Sequence, residues 1–123
     1  MMKWVATLLL VTPGAVLAET ELDFHLCSAY VQQSAVGTQI ENEWPVHVKL
    51  TKVGATSFER FTEANIGRMS RLVVGDQEFL RATIMGPMSN GDLHGAFSSQ
   101  EVATAWQRTL AGKLPAAPCG AGD

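Results

Sequence analysis

The sequence is poor in the features that mark anchored, basic or catalytic proteins. It carries only 2 cysteines, 1 tyrosine and 9 basic residues against 12 acidic ones in 123 residues. No basic cluster is present, so the concentrated positive footprint that phosphate binding requires is missing. That makes nucleic acid and anionic membrane surfaces poor candidate partners. The cysteines lack the C-x-x-C spacing of a redox site, and no further ligands can be placed for a zinc site. No apolar run reaches the roughly 20 residues needed to span a bilayer. Internal repeats and low-complexity segments are absent as well.

What is present begins with a leader. Lys3 supplies a short positive region, Trp4 to Val11 an apolar stretch, and Pro13-Gly14 a break before Val16-Leu17-Ala18. Small residues at positions 16 and 18 fit the sites a signal peptidase reads, and Glu19-Thr20-Glu21 opens a sharply more polar sequence. The expectation is a signal peptide over 1–18, cleaved after Ala18, and an exported, periplasmic or secreted chain without stable membrane insertion. A lipid anchor does not fit, because Cys27 follows Asp23, Phe24, His25 and Leu26 rather than small residues. Losing Lys3 leaves the mature chain with a net charge of about −4. Its roughly 105 residues allow one domain with one core.

Cys27 and Cys119 fall near opposite ends of the mature chain and would meet as a disulfide in an oxidising compartment, the alternative being two separate thiols. Closing a loop of about 90 residues stabilises a fold by up to roughly 4–5 kcal/mol in the chain-entropy model.

Along the mature chain, Leu22 to Val31 alternates apolar and polar residues and predicts a first strand. Ser34 to Glu43 is polar around Gly37 and predicts a loop. Val46, Val48 and Leu50 alternate with His47, Lys49 and Thr51, a second half-buried strand. Gly54 breaks that pattern, and Thr56 to Ile66 takes helical spacing with Phe58, Phe61, Thr62 and Asn65 on one stripe, ended by Gly67. Leu72-Val73-Val74, the Gly75-Asp76 turn and Phe79 to Met85 predict a hairpin. Asp92 to Phe97 is expected to add one more strand beside it. Ser98 and Glu101 predict a capping box, opening a helix with Val102, Ala105, Trp106, Thr109 and Leu110 inward and Gly112 and Pro115 at its end. The tail from Pro115 is expected to be loose except where Cys119 ties it.

These elements predict an α+β fold, with a largely antiparallel sheet of about four to five strands and two helices packed on one face. Within that single domain, 19–45 forms an N-terminal strand and loop, 46–114 the main region, and 115–123 a tail held by the disulfide.

Chemistry is sparse. Ser89 and Ser98 flank His94 without a nucleophile-elbow pattern. His25, His47 and His94 sit on separate strands at outward-looking positions, which reads as solvent-facing imidazoles rather than a metal site. Glu59 and Glu63 read as a solvated helix face. Gly86, Gly91 and Gly95 are too widely spaced for a phosphate-cradling loop and read as turn or bulge glycines. Trp106 fits a core stripe, leaving Trp44 as the candidate partner contact beside the polar loop. No catalytic residue, cofactor or metal ligand is expected, and the pattern carries no signal of oligomeric state.

Several motifs fall in a familiar order. Val48-Lys49-Leu50-Thr51 is followed by Gly54 and Phe58, then Thr62-Glu63-Ala64-Asn65-Ile66-Gly67-Arg68, Leu72-Val73-Val74 and Ile84. Gly91 and Leu93-His94-Gly95-Ala96-Phe97-Ser98 come next, then Glu101 with Ala103 and finally Gly112-Lys113-Leu114-Pro115. In this order, Val46 to Leu114 resembles the head subdomain of the first periplasmic domain of SecD, the accessory subunit of the bacterial protein-export channel. The sequence departs from that pattern at Gly75-Asp76, reversed relative to the family's aspartate-glycine turn, and at Leu80-Arg81-Ala82. The resemblance implies structural roles for Thr62, Asn65, Gly67, Gly91 and Gly95. It also implies a non-enzymatic module whose partner is a protein or peptide, such as exported polypeptides or the translocase. An alternative reading is a small disulfide-closed envelope protein that inhibits or regulates one enzyme.

Overall fold

The computed structural model describes residues 21–121. The expected signal peptide lies outside the described residues. The described chain is α+β, with eight elements: β1 (Leu22–His25), β2 (Val31–Val36), β3 (Trp44–Leu50), α1 (Lys52–Ala64), β4 (Met69–Val74), β5 (Gln77–Thr83), β6 (Asp92–Phe97) and α2 (Gln100–Gly112).

The strands form two three-stranded sheets rather than one. In the first, β4 lies between β1 and β5, parallel to β1 and antiparallel to β5. In the second, β3 lies between β2 and β6, antiparallel to both. The last strand therefore pairs with β3, not with the hairpin that precedes it. The residues between Thr83 and Asp92 carry the chain from one sheet to the other.

Local chemistry explains the elements, with several shifts from expectation. The segment from Leu22 is two strands, because the chain turns at Ser28 to Tyr30, where the Tyr30 N–H reaches the Cys27 carbonyl at 3.0 Å. Ser34 to Val36, expected in a loop, continues β2. The Ser34 hydroxyl donates to the Gln107 carbonyl at 3.2 Å, which satisfies a polar strand residue against α2. In β3 the alternation holds: Val46, Val48 and Leu50 are buried, while His47 and Lys49 are exposed.

Helix α1 starts earlier than expected, with Thr51 as N-cap accepting from the Gly54 N–H at 3.1 Å. Gly54 thus lies inside the helix rather than before it. Its missing side chain lets Tyr30 approach, since a Cβ there would stand 2.5 Å from the Tyr30 carbonyl oxygen. The helix ends at Ala64, and Gly67 then takes φ +89°.

Helix α2 is capped by Ser99, one residue beyond the expected Ser98, and the Ser99 hydroxyl accepts from the Val102 N–H at 3.1 Å. That register places Glu101 too early in the helix for a capping box. It also turns Ala103, Trp106 and Leu110 inward and leaves Val102 and Ala105 exposed. The tail is more ordered than expected. Gly120 exchanges two backbone hydrogen bonds with His25, of 2.6 and 2.9 Å, extending the β1 edge. Cys119 is bonded to Cys27 across 92 residues.

One core serves both sheets and both helices. Phe24 of β1, with no exposed surface, meets Phe58 edge-on at 5.0 Å and Phe61 at 5.1 Å, so α1 packs on the first sheet through rings. Burying each such ring contributes about 1.5–3 kcal/mol. Trp106 of α2 stands 5.2 Å from Phe79 of β5 and 6.4 Å from Phe97 of β6, joining the helix to one strand of each sheet.

Candidate functional site

An apolar opening lies where the sheets part. At one end β5 and β6 are held together by Phe79, whose ring is 5.7 Å from Phe97. Gly95 allows this approach, because a Cβ there would press on the Phe79 and Phe97 rings at 3.3 Å. Farther along, no backbone pairing joins β5 to β6 among the described residues. There a cavity of about 330 Å³ opens, lined by Phe58, Leu72, Leu80, Ile84 and Leu93, with Met88 and His94 among its polar and flexible neighbours.

The cleft is framed by the segment after β5, and Thr62 holds that segment in place. Thr62 is fully buried; its hydroxyl donates back to the Phe58 and Glu59 carbonyls, each at 3.0 Å, and accepts from the Met88 N–H at 2.9 Å. Asn65 donates to the Phe61 carbonyl at 2.8 Å, and the Gly67 N–H donates to the Ile84 carbonyl at 2.7 Å. Gly91, at φ +73°, turns the chain into β6 and presents its carbonyl to the Leu50 N–H at 2.8 Å. These contacts leave apolar side chains uncovered: on that segment Met85 is 85% exposed and Met88 41%, and Ile66, between α1 and β4, is 54% exposed.

Each sheet also has a polar face. On the first, Arg71 donates two hydrogen bonds to Asp23, at 2.8 and 2.9 Å, and Arg81 pairs with Glu21 and Glu78. The hydrogen bonds from Arg71 hold the Asp23 carboxyl below its ordinary pKa, and those from Arg81 do the same for Glu78. On the second, His47 of β3 lies directly opposite His94 of β6, and Lys49 opposite Asp92. Pairing β3 with β6 brings together two histidines that the sequence places 47 positions apart. His25 lies on the other sheet. Trp44, at the start of β3 opposite Phe97, is half-buried and packs on the core.

Among the described residues no cluster of three or more His, Cys, Asp or Glu is placed to hold a metal, and no helix is long and apolar enough to cross a membrane. The fold defines an α+β domain of two three-stranded sheets with an open cleft between β5 and β6.

Comparison with known proteins then places it. The model of the SecDF P1 head subdomain matches residues 15–116, and the chain belongs to that family. The match reaches well before Val46, where the sequence resemblance begins. The fold is similar to that of SecDF, a membrane component that enhances protein export, with a TM-score of 0.61 and 22% identity over 71% of this chain and 41% of that one. It is equally similar to the crystal structure of SecDF in Super-membrane-facing form, with a TM-score of 0.60 and 22% identity over 71% of this chain and 12% of that one. The chain thus spans less than half the length of the solved proteins it matches. No curated protein matches it.

Proposed function

We propose that this domain is a non-enzymatic interaction module that serves protein export outside the cytoplasm by holding exported polypeptides in extended form. Membership of the SecDF head family supports the export role and the location. The observation that carries the mode of binding is the cleft between β5 and β6. Both strands face it as unpaired edges, and an edge strand offers backbone donors and acceptors to an added strand. Apolar pockets beneath alternate residues of that strand would come from Leu80, Ile84 and Leu93. Met85 and Met88 at the rim are unbranched and adaptable, which suits segments of varied sequence. Trp44 contributes the exposed part of its ring as a second contact, beside Phe97. The family match offers no support for a dedicated regulator of one enzyme.

A photoreactive residue replacing Leu80, mixed with a chemically unfolded exported polypeptide and with the same polypeptide folded, tests this reading. Adducts with the unfolded chain, exceeding those from the same probe at Arg108 on α2, are expected. Equal yields at the two positions would overturn it.

A further inference from the structure

The open face of the second sheet carries two opposed imidazoles. His47 and His94 are cross-strand partners on β3 and β6, both exposed, with ring centres 5.8 Å apart and planes inclined at 42°. Directly opposed residues in an antiparallel pair keep their Cβ atoms about 4.5–5.5 Å apart, so both rings rise side by side from the same backbone platform. An ion bound at 2.0–2.1 Å by one nitrogen of each imidazole sits about 3.2 Å from each ring centre, which places the rings of a tetrahedral or wider site about 5–6 Å apart. The observed separation lies in that range without movement of the strands.

We propose that His47 and His94 form a bis-imidazole site for a late first-row divalent cation. The surroundings favour such an ion. Asp92 lies on the same face two residues before His94, and Glu41 and Glu43 share a shallow pocket with His94. Lys49, opposite Asp92, is the adjacent cation and opposes binding. No third side chain closes the site, so water completes the coordination sphere and the affinity is modest. Imidazole donors suit copper, nickel and zinc, and refuse the oxygen-seeking magnesium and calcium. A bound ion ties edge strand β6 to its neighbour at the rim of the cleft, since His94 also lines that cavity.

The test is calorimetric titration of the untagged protein with Zn²⁺ and with Ni²⁺, beside His47→Ala, His94→Ala and His25→Ala. All three positions lie in strands, and the melting temperature of each variant verifies folding. One equivalent of metal is expected to bind, weakened at least tenfold by either His47→Ala or His94→Ala and unchanged by His25→Ala. Electron resonance of the Cu²⁺ complex should show hyperfine coupling to two imidazole nitrogens. Binding that survives His47→Ala, or that disappears with His25→Ala, would overturn the proposal, as would the absence of binding to folded wild type at millimolar metal.

Discussion

Thr62 accepts a hydrogen bond from the backbone N–H of Met88 at 2.9 Å, so a hydroxyl on the last turn of α1 fixes the segment that crosses between the sheets. Thr62 itself has no exposed surface. Thr62→Val keeps the shape and removes the acceptor, leaving the Met88 N–H without its partner. A loss of about 1–3 kcal/mol in urea unfolding is expected, together with faster hydrogen exchange at Met88. Unchanged exchange at Met88 would show that the tether does not order the segment.

The Cys27–Cys119 bridge should dominate the stability of the described domain. It closes a separation of 92 residues and anchors the tail that pairs with His25. Reduction, or the double change Cys27→Ala with Cys119→Ala, is expected to cost up to about 4–5 kcal/mol in denaturant titrations, because the unfolded chain regains its loop entropy. A loss below about 1 kcal/mol would mean that the core and the Gly120 pairing suffice.

Acid should weaken the first sheet through Asp23. Its carboxyl titrates lower in the folded chain than in the unfolded one, chiefly through the hydrogen bonds from Arg71. The unfolded chain therefore binds the proton more tightly. The stabilisation is complete above the unfolded value of roughly 3.9 and is lost as pH falls through the folded value. Both partners are about a third exposed, at 33% and 34%, so solvent keeps the effect small. Asp23→Asn is expected to lower the melting temperature by a few degrees at pH 7, with the two proteins converging at the acid end of the series. Parallel curves throughout would assign the acid sensitivity to another carboxyl.

Gly54→Ala offers a test in which helix propensity and packing oppose each other. Alanine favours a helix interior by about 1 kcal/mol over glycine, but its methyl would run into the Tyr30 backbone. Net destabilisation of about 1–3 kcal/mol is expected from forced overpacking. Thermal melts that show Gly54→Ala to be neutral or stabilising would show that the turn at Tyr30 yields.

The elements were legible wherever a local signal governed them. The alternation in β3, the hairpin turn at Gly75-Asp76 and the aromatic stripe of α1 each depend on residues within a few positions of one another. Errors arose where two local solutions had similar strength. Ser98 and Ser99 can both cap α2, and the observed stripe keeps Trp106 and Leu110 inward but has Ala103 in place of Val102 and Ala105. Gly54 reads as a breaker until Tyr30 is seen against it. Ser34 looks like a loop residue until α2 supplies a carbonyl for its hydroxyl.

By itself the sequence determined the α+β class, the inward-facing residues Val46, Val48 and Leu50 of β3, and the resemblance to the SecD head. Periodicity and turn chemistry are local, and the first two follow from them, while the third rests on the order of motifs along the chain. Only the tertiary structure decided that the strands divide into two sheets, that β1 runs parallel to β4, and that β6 returns to β3. Those pairings depend on how distant apolar faces share one core, which no short window of sequence contains. The cleft between β5 and β6, the Asp23–Arg71 ion pair and the meeting of His47 with His94 all follow from that choice.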